Sequence, residues 1–236
     1  MGSDTLVANG RRIPEGHGHG PWATIAALNG SERPEGLTSK VLQELAAAAA
    51  GHGVHLDVIP LAEYDITPCG PCGDCNIRPL PCSLDDDTPA LVDRLIRADG
   101  VLYAAPVHGF GLASVMQNFI ERAGVGHLRF ERPLANKVAG VVVTGRRYSH
   151  DRVYGQLVDN VLLNRMILAG SGFPAFIHDQ FAPHGDDEGM AAAHSLVDRM
   201  IDMLRILLLP HGGREDTARL LSLPRNERAG LLTPTR

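Results

Sequence analysis

Residues 98–124 read ADGVLYAAPVHGFGLASVMQNFIERAG, and the order of residue types within them decides the fold. Gly100 to Ala105 (GVLYAA) is an apolar run of strand length, broken by Pro106. Pro106-Val107-His108-Gly109-Phe110-Gly111 then makes a glycine-rich loop, and Leu112 to Gly124 reads as a helix. A strand passing through a short loop into a helix is one half of a repeating β–α pattern.

The same alternation continues outward in both directions. Upstream, Thr24 to Leu28 reads as a strand ending at Asn29-Gly30, Thr38 to Ala50 as a helix closed by Gly51 and Gly53, and Val54 to Leu61 as a second strand. Residues 64–86, rich in Pro, Gly and Cys, read as an irregular loop. Asp86 or Asp87 then caps a helix that has Pro89 in its first turn and Leu91, Val92, Leu95 and Ile96 on one face. Downstream come a strand (Val138 to Thr144), a helix (Val153 to Ala169), a short fifth strand (Phe173 to Ile177) and a long helix (Glu188 to Leu209). Five strands with intervening helices predict an α/β fold with a five-stranded parallel sheet covered on both faces, and right-handed crossovers make it doubly wound. Residues 1–21 and 211–236 read as an N-terminal extension and a C-terminal tail around a domain at 22–210.

The composition fits this. With 236 residues the chain suits one domain with embellishments. A net charge of −5 argues against nucleic acid or an anionic membrane surface as the main partner, since both select a basic face. The longest apolar run, Ile206 to Leu209, is too short to span a bilayer, and residues 1–21 contain no secretory apolar region. The reading is a soluble, cytoplasmic protein.

The four cysteines, Cys69, Cys72, Cys75 and Cys82, lie on a single loop in the spacing C-x2-C-x2-C-x6-C. Disulfides staple distant segments of small secreted domains, which this chain is not. Clustered thiols in a reducing compartment indicate a metal or redox chemistry. Three cysteines at two-residue intervals can wrap one face of a cubane, and the last of the four completes an all-thiolate ligand set. Structural zinc usually uses two separated CxxC pairs, and metal-free thiols are the further alternative.

In an open parallel sheet, ligands bind beyond the carboxyl ends of the strands, where strand order reverses. Three loops of this chain reach that edge. In the first, residues 29–39, Ser31, Arg33, Thr38 and Ser39 offer hydroxyls and a guanidinium at a helix N-terminus, which suits a terminal phosphate. It matches neither a Walker loop nor GxGxxG. The second is Pro106 to Gly111, and the third runs from Thr144 through Gly145, Arg146 and Arg147; glycines there let backbone approach a flat ligand.

Together, GSERPEGLTSK (30–40), residues 98–124 and the cysteine loop followed by Asp85-Asp86 resemble the NAD(P)H-dependent FMN reductase family of the flavodoxin-like fold, over about residues 23–180. The resemblance implies that Ser31, Arg33, Thr38 and Ser39 hold the FMN phosphate, and that Pro106, Val107, His108, Gly109, Thr144 and Gly145 hold the isoalloxazine. Glu32 stands where the family usually has proline, His108 where it has tyrosine and Gln117 where it has lysine. The cysteine spacing is similar to that of its iron–sulfur flavoproteins, implying a 4Fe–4S cluster on Cys69, Cys72, Cys75 and Cys82.

The implied activity is an FMN-dependent oxidoreductase coupling a two-electron substrate, NAD(P)H among the donors, to a one-electron partner such as ferredoxin. The alternatives are a cluster-free NAD(P)H-dependent FMN, quinone or nitro reductase, and a flavodoxin-type electron carrier. The apolar face of residues 188–209 is broader than one sheet face needs and suggests a homodimer or homotetramer.

Overall fold

The computed structural model describes residues 7–8, 11–12, 20–73, 75, 82–179 and 185–208. Most of both predicted extensions therefore lies outside the described residues, although Val7–Ala8 pairs antiparallel with Arg11–Arg12.

Five parallel strands build the sheet: β1 (Ala23–Asn29), β2 (Val54–Pro60), β3 (Gly100–His108), β4 (Val138–Gly145) and β5 (Ala175–His178). Their spatial order is β2-β1-β3-β4-β5, all pairings parallel. Strand order reverses between β1 and β3, so the crevice for a ligand opens there, above Asn29 and Ala104.

Both faces of the sheet are covered, so the central strands β1, β3 and β4 are buried over most of their length, while the edge strand β2 carries exposed His55. On one face Ile25, Ala27 and Leu102 pack with α1 (Leu37–Gly51) and with the last helix, Asp187–Leu208, through Leu42, Leu45, Leu196 and Met200. On the other, Leu28, Tyr103 and Val141 pack with α2 (Thr88–Arg97), α3 (Ser114–Ala123) and α4 (His150–Leu163) through Leu95, Phe119 and Leu157. The apolar stripe of the last helix, α5, is buried against its own sheet, and Leu207 alone among its large apolar side chains is exposed. No helix of the described residues is long and apolar enough to cross a membrane.

Two local expectations need correction, and one open alternative is resolved. β3 does not break at Pro106 but runs on to His108. β1 ends at the pair Asn29–Ala104, so by residue 106 β3 has lost that neighbour and proline leaves no ladder donor missing on that side. The predicted helix Val153 to Ala169 is shorter at its C-terminus: α4 stops at Leu163, Arg165 turns through a positive φ of 56°, and Ile167–Leu168 pairs with β4 as a two-residue strand. Finally, Asp86 rather than Asp87 supports the start of α2, its Oδ1 accepting the Thr88 N–H at 3.0 Å.

Candidate functional site

The strand β1 delivers Asn29 to the carboxyl edge, and this buried amide organises the first loop. Its Oδ1 accepts the Ser31 N–H at 3.0 Å, and its Nδ2 donates to Ser39 Oγ at 2.9 Å. Ser39 Oγ in turn donates to the Arg33 carbonyl at 3.2 Å, and Ser31 Oγ accepts the Arg33 N–H at 3.1 Å. The loop is thus tied from within before α1 begins. The first α1 bond is Lys40 N–H to Gly36 O, so the N–H groups of residues 37–39 precede the helical ladder and, with the positive end of the dipole, favour an anion. Arg33 and Glu32 are exposed, and Glu32 Oε1 is drawn to Ser114 Oγ at 2.9 Å on α3. Thr38 is buried and faces Thr144 at the end of β4, the two hydroxyl oxygens 2.7 Å apart. One hydrogen bond therefore joins the first and third loops.

The second loop turns at Gly109 and Phe110, both with positive φ (53° and 66°), and Gly111–Leu112 folds back to pair with Val107–His108. Phe110 stands at the tip with 66% of its surface exposed. A phenylalanine in the left-handed region is strained, and such strain concentrates at ligand sites. His108 is exposed, while Pro106 and Val107 are partly buried.

At Gly145, a Cβ would lie 3.0 Å from His150 Nε2 and 3.1 Å from Val107 Cγ2, so glycine alone lets the second and third loops close on each other. Buried His150 starts α4, with Nε2 3.4 Å from the Ile177 carbonyl and its ring centroid 4.3 Å from that of His178. Burial, and then the neighbouring His178, lower its pKa, so it stays neutral at physiological pH. His178 Nδ1 lies 3.0 Å from Asp186 Oδ2. Burial alone would raise the Asp186 pKa, but bonds from the Gly189 and His178 N–H groups and the His178 ring bring it below the ordinary carboxylate value.

The cysteine loop leaves the fold after the 3-10 turn Leu61–Glu63 and returns at α2. Cys69 and Cys72 are exposed, Cys82 is half-buried and Cys75 is buried, and none is disulfide-bonded. Burial pushes the Cys75 thiol up, and the charges of Cys82, Cys69 and Cys72 add to this. In kind, four free thiols on one loop are the all-thiolate donor set that a thiophilic metal group takes. Among the described residues, no three Cys, His, Asp or Glu side chains lie close enough to clasp a metal ion.

The three loops thus meet as predicted at one edge of the sheet. Sequence reasoning missed Asn29, His150, Phe110 and Arg122. Phe110 and Asn29 carried a local signal, an aromatic between glycines and a polar residue ending an apolar strand. His150 and Arg122 carried none, because their partners are distant in sequence. A cleft of about 660 Å³ between α3 and α4, lined by Gln117, Arg129, Arg132, Gln156 and Leu163 among others, contains none of the loop residues.

Comparison with known proteins identifies the family and the fold. The NADPH-dependent FMN reductase family profile matches residues 23–180. An iron–sulfur flavoprotein of Methanocaldococcus jannaschii is 26% identical over 192 residues, covering 78% of this chain and 98% of the relative. Another from Methanosarcina thermophila is 24% identical over 186 residues, covering 78% and 96%. Among solved structures, RosB with a bound riboflavin-phosphate intermediate superposes with a TM-score of 0.62 at 20% identity, covering 78% of this chain and 80% of that one. The NAD(P)H:(acceptor) oxidoreductase FerB of Paracoccus denitrificans gives 0.60 at 17% identity, covering 79% and 100%. The chain belongs to the NADPH-dependent FMN reductase family and is a flavin-dependent oxidoreductase.

Proposed function

We propose that this chain binds FMN at the edge formed by its three loops, carries a 4Fe–4S cluster on Cys69, Cys72, Cys75 and Cys82, and transfers electrons between NAD(P)H or another small two-electron substrate and a one-electron partner of the ferredoxin kind. The observation that carries the flavin site is the buried hydrogen bond between Thr38 and Thr144, which brings the anion-favouring start of α1 to the glycine loop after β4. The cluster reading is supported by the four free thiols on one loop and by the iron–sulfur flavoproteins to which the chain is similar.

Each residue has a distinct task. Ser31, Arg33, Thr38, Ser39 and the first N–H groups of α1 hold the phosphate, with Arg33 as an exposed cation at its edge. Glu32, drawn aside by Ser114, keeps its carboxylate off that anion. Pro106, Val107, His108, Gly109, Thr144 and Gly145 line the ring site, and Phe110 offers its exposed face to a flat ligand. The neutral His150 beneath Gly145 supports the loop without adding charge. Bound flavin would supply two-electron chemistry, and a cluster held by Cys69, Cys72, Cys75 and Cys82 would supply one-electron transfer. A cluster-free NAD(P)H-dependent reductase is the second reading, favoured by the exposure of Cys69 and Cys72. The homodimer or homotetramer expected from the apolar face of α5 loses that support, because the face is buried against this chain's own sheet.

The flavin site is tested by fluorescence titration of the apo-protein with FMN and with riboflavin. FMN is expected to bind at least about ten-fold tighter, the contribution of phosphate contacts at a helix N-terminus. Equal affinities overturn the phosphate assignment.

A further inference from the structure

The cysteine loop leaves and re-enters the fold through a closed neck. Asp87 N–H donates to the Asp65 carbonyl at 3.0 Å, and Asp65 N–H donates to Asp87 Oδ2 at 2.8 Å. One step further in, Asp86 Oδ2 accepts the Thr67 N–H at 3.0 Å. Arg122 meets this point from the last turn of α3. Its Nη1 donates to the Thr67 carbonyl at 2.5 Å and to Asp86 Oδ2 at 2.6 Å, and its Nη2 donates to Asp86 Oδ1 at 3.2 Å.

Both partners of this ion pair are buried, with side chains 1% and 0% exposed. Removing two charges from water is costly, and a buried pair is commonly no more stabilising than apolar residues of the same size, so stability alone does not account for a guanidinium here. The two hydrogen bonds between Asp65 and Asp87, one of them to the Asp87 carboxylate, already close the loop's outer end. One further observation points the cation toward the loop's interior. Arg122 Nε is buried and has no partner among the described residues, so the guanidinium keeps an unused donor at the base of the loop.

We propose that Arg122 is the positioning residue of the cysteine loop: it locks the neck through Asp86 and Thr67 and keeps a buried cation at the loop's base. The proposal rests on the reading of this loop as an iron–sulfur site. A four-thiolate site carries excess negative charge, and hydrogen bonds and charge beside its sulfurs fix both ligand orientation and potential.

The test compares wild type with Arg122→Met, Arg122→Lys and Asp86→Asn, all as the full chain with FMN bound. In metal-free protein, Cys75 labelling by iodoacetamide at one pH is followed by mass spectrometry against Cys69 as the exposed reference. Wild-type Cys75 is expected to react about ten-fold or more slowly, because labelling waits for the neck to open. Arg122→Met is expected to abolish that protection. Unchanged protection in Arg122→Met with FMN retained overturns the proposal. Should Arg122→Met lose FMN as well, Asp86→Asn, which keeps the side-chain shape, decides by the same criterion. In iron-loaded protein, Arg122→Met is expected to lower the cluster's midpoint potential and Arg122→Lys to restore it toward wild type. Equal midpoints for the Met and Lys variants overturn the charge role. Wild-type protein that takes up no iron refutes the cluster reading, and the labelling comparison then still decides whether Arg122 holds the loop.

Discussion

The hydroxyl oxygens of Thr38 and Thr144 lie 2.7 Å apart in a buried position, although 106 residues separate them in the chain. One belongs to the first turn of α1 and the other ends β4, so this bond fixes the distance between the helix N-terminus and the third loop. Replacing either by valine keeps the shape and leaves one buried hydroxyl unpaired, at about 1–3 kcal/mol. Thr38→Val and Thr144→Val should each weaken FMN binding about ten-fold or more, read by recovery of flavin fluorescence on dilution. The double variant should lose less than the sum of the two, because both remove the same bond.

At Gly145 the argument is steric. A methyl group there meets His150 at 3.0 Å and Val107 at 3.1 Å, and neither partner is free to retreat: His150 is buried and Val107 belongs to β3. Gly145→Ala is expected to destabilise the fold by about 1–3 kcal/mol, as overpacking does, and to weaken flavin binding in parallel. Thermal unfolding with and without FMN measures both.

Phe110 allows the two effects to be separated. Its φ of 66° is unfavourable for any residue with a Cβ, and its side chain is largely exposed. Phe110→Gly should therefore stabilise the apo-protein by up to about 1 kcal/mol while weakening the flat ligand it faces. A rise in apo-protein Tm together with a weaker flavin or nicotinamide Kd is the expected pair of results. A loss in both would mean that Phe110 is only a structural residue.

The neck of the cysteine loop is pH-sensitive. Burial alone would raise the Asp86 pKa, yet Arg122 and the N–H groups of Thr88 and Thr67 bring it from 3.8 down to about 2. A carboxylate depressed by folding stabilises the folded state above its unfolded pKa, and that stability is lost as pH falls through the folded value. The contribution of about 2 kcal/mol should be complete above about pH 4 and disappear toward pH 2. Urea titrations of wild type and Asp86→Asn across that window should converge at the acid end.

How much of this was legible in the sequence depended on whether the signal was local. The strands and helices were, because each is a run of apolar residues closed by glycine, proline or a capping polar group. Asn29-Gly30 and Thr144-Gly145 marked strand ends and thereby the ligand edge. The end of α4 was not legible: Leu162, Leu163, Met166, Ile167 and Leu168 continue the apolar pattern, and only tertiary pairing of Ile167–Leu168 with β4 divides helix from strand. Pro106 suggested a break, and β3 tolerates it because β1 has already ended. Arg122 falls inside the helix expected over Leu112 to Gly124, with nothing local to single it out. Its partners, Asp86 and Thr67, lie 36 and 55 positions away, beyond the reach of any periodicity.

The central claim is that one chain pairs FMN with an iron–sulfur cluster. An absorption spectrum of anaerobically purified protein, with iron and acid-labile sulfide assayed on the same sample, tests it most directly. Flavin bands overlaid on broad visible absorbance, with about four irons and about four sulfides per chain, are the expected result. Flavin bands without iron would contradict it, leaving a simple NAD(P)H-dependent flavin reductase whose Cys69, Cys72, Cys75 and Cys82 are free thiols.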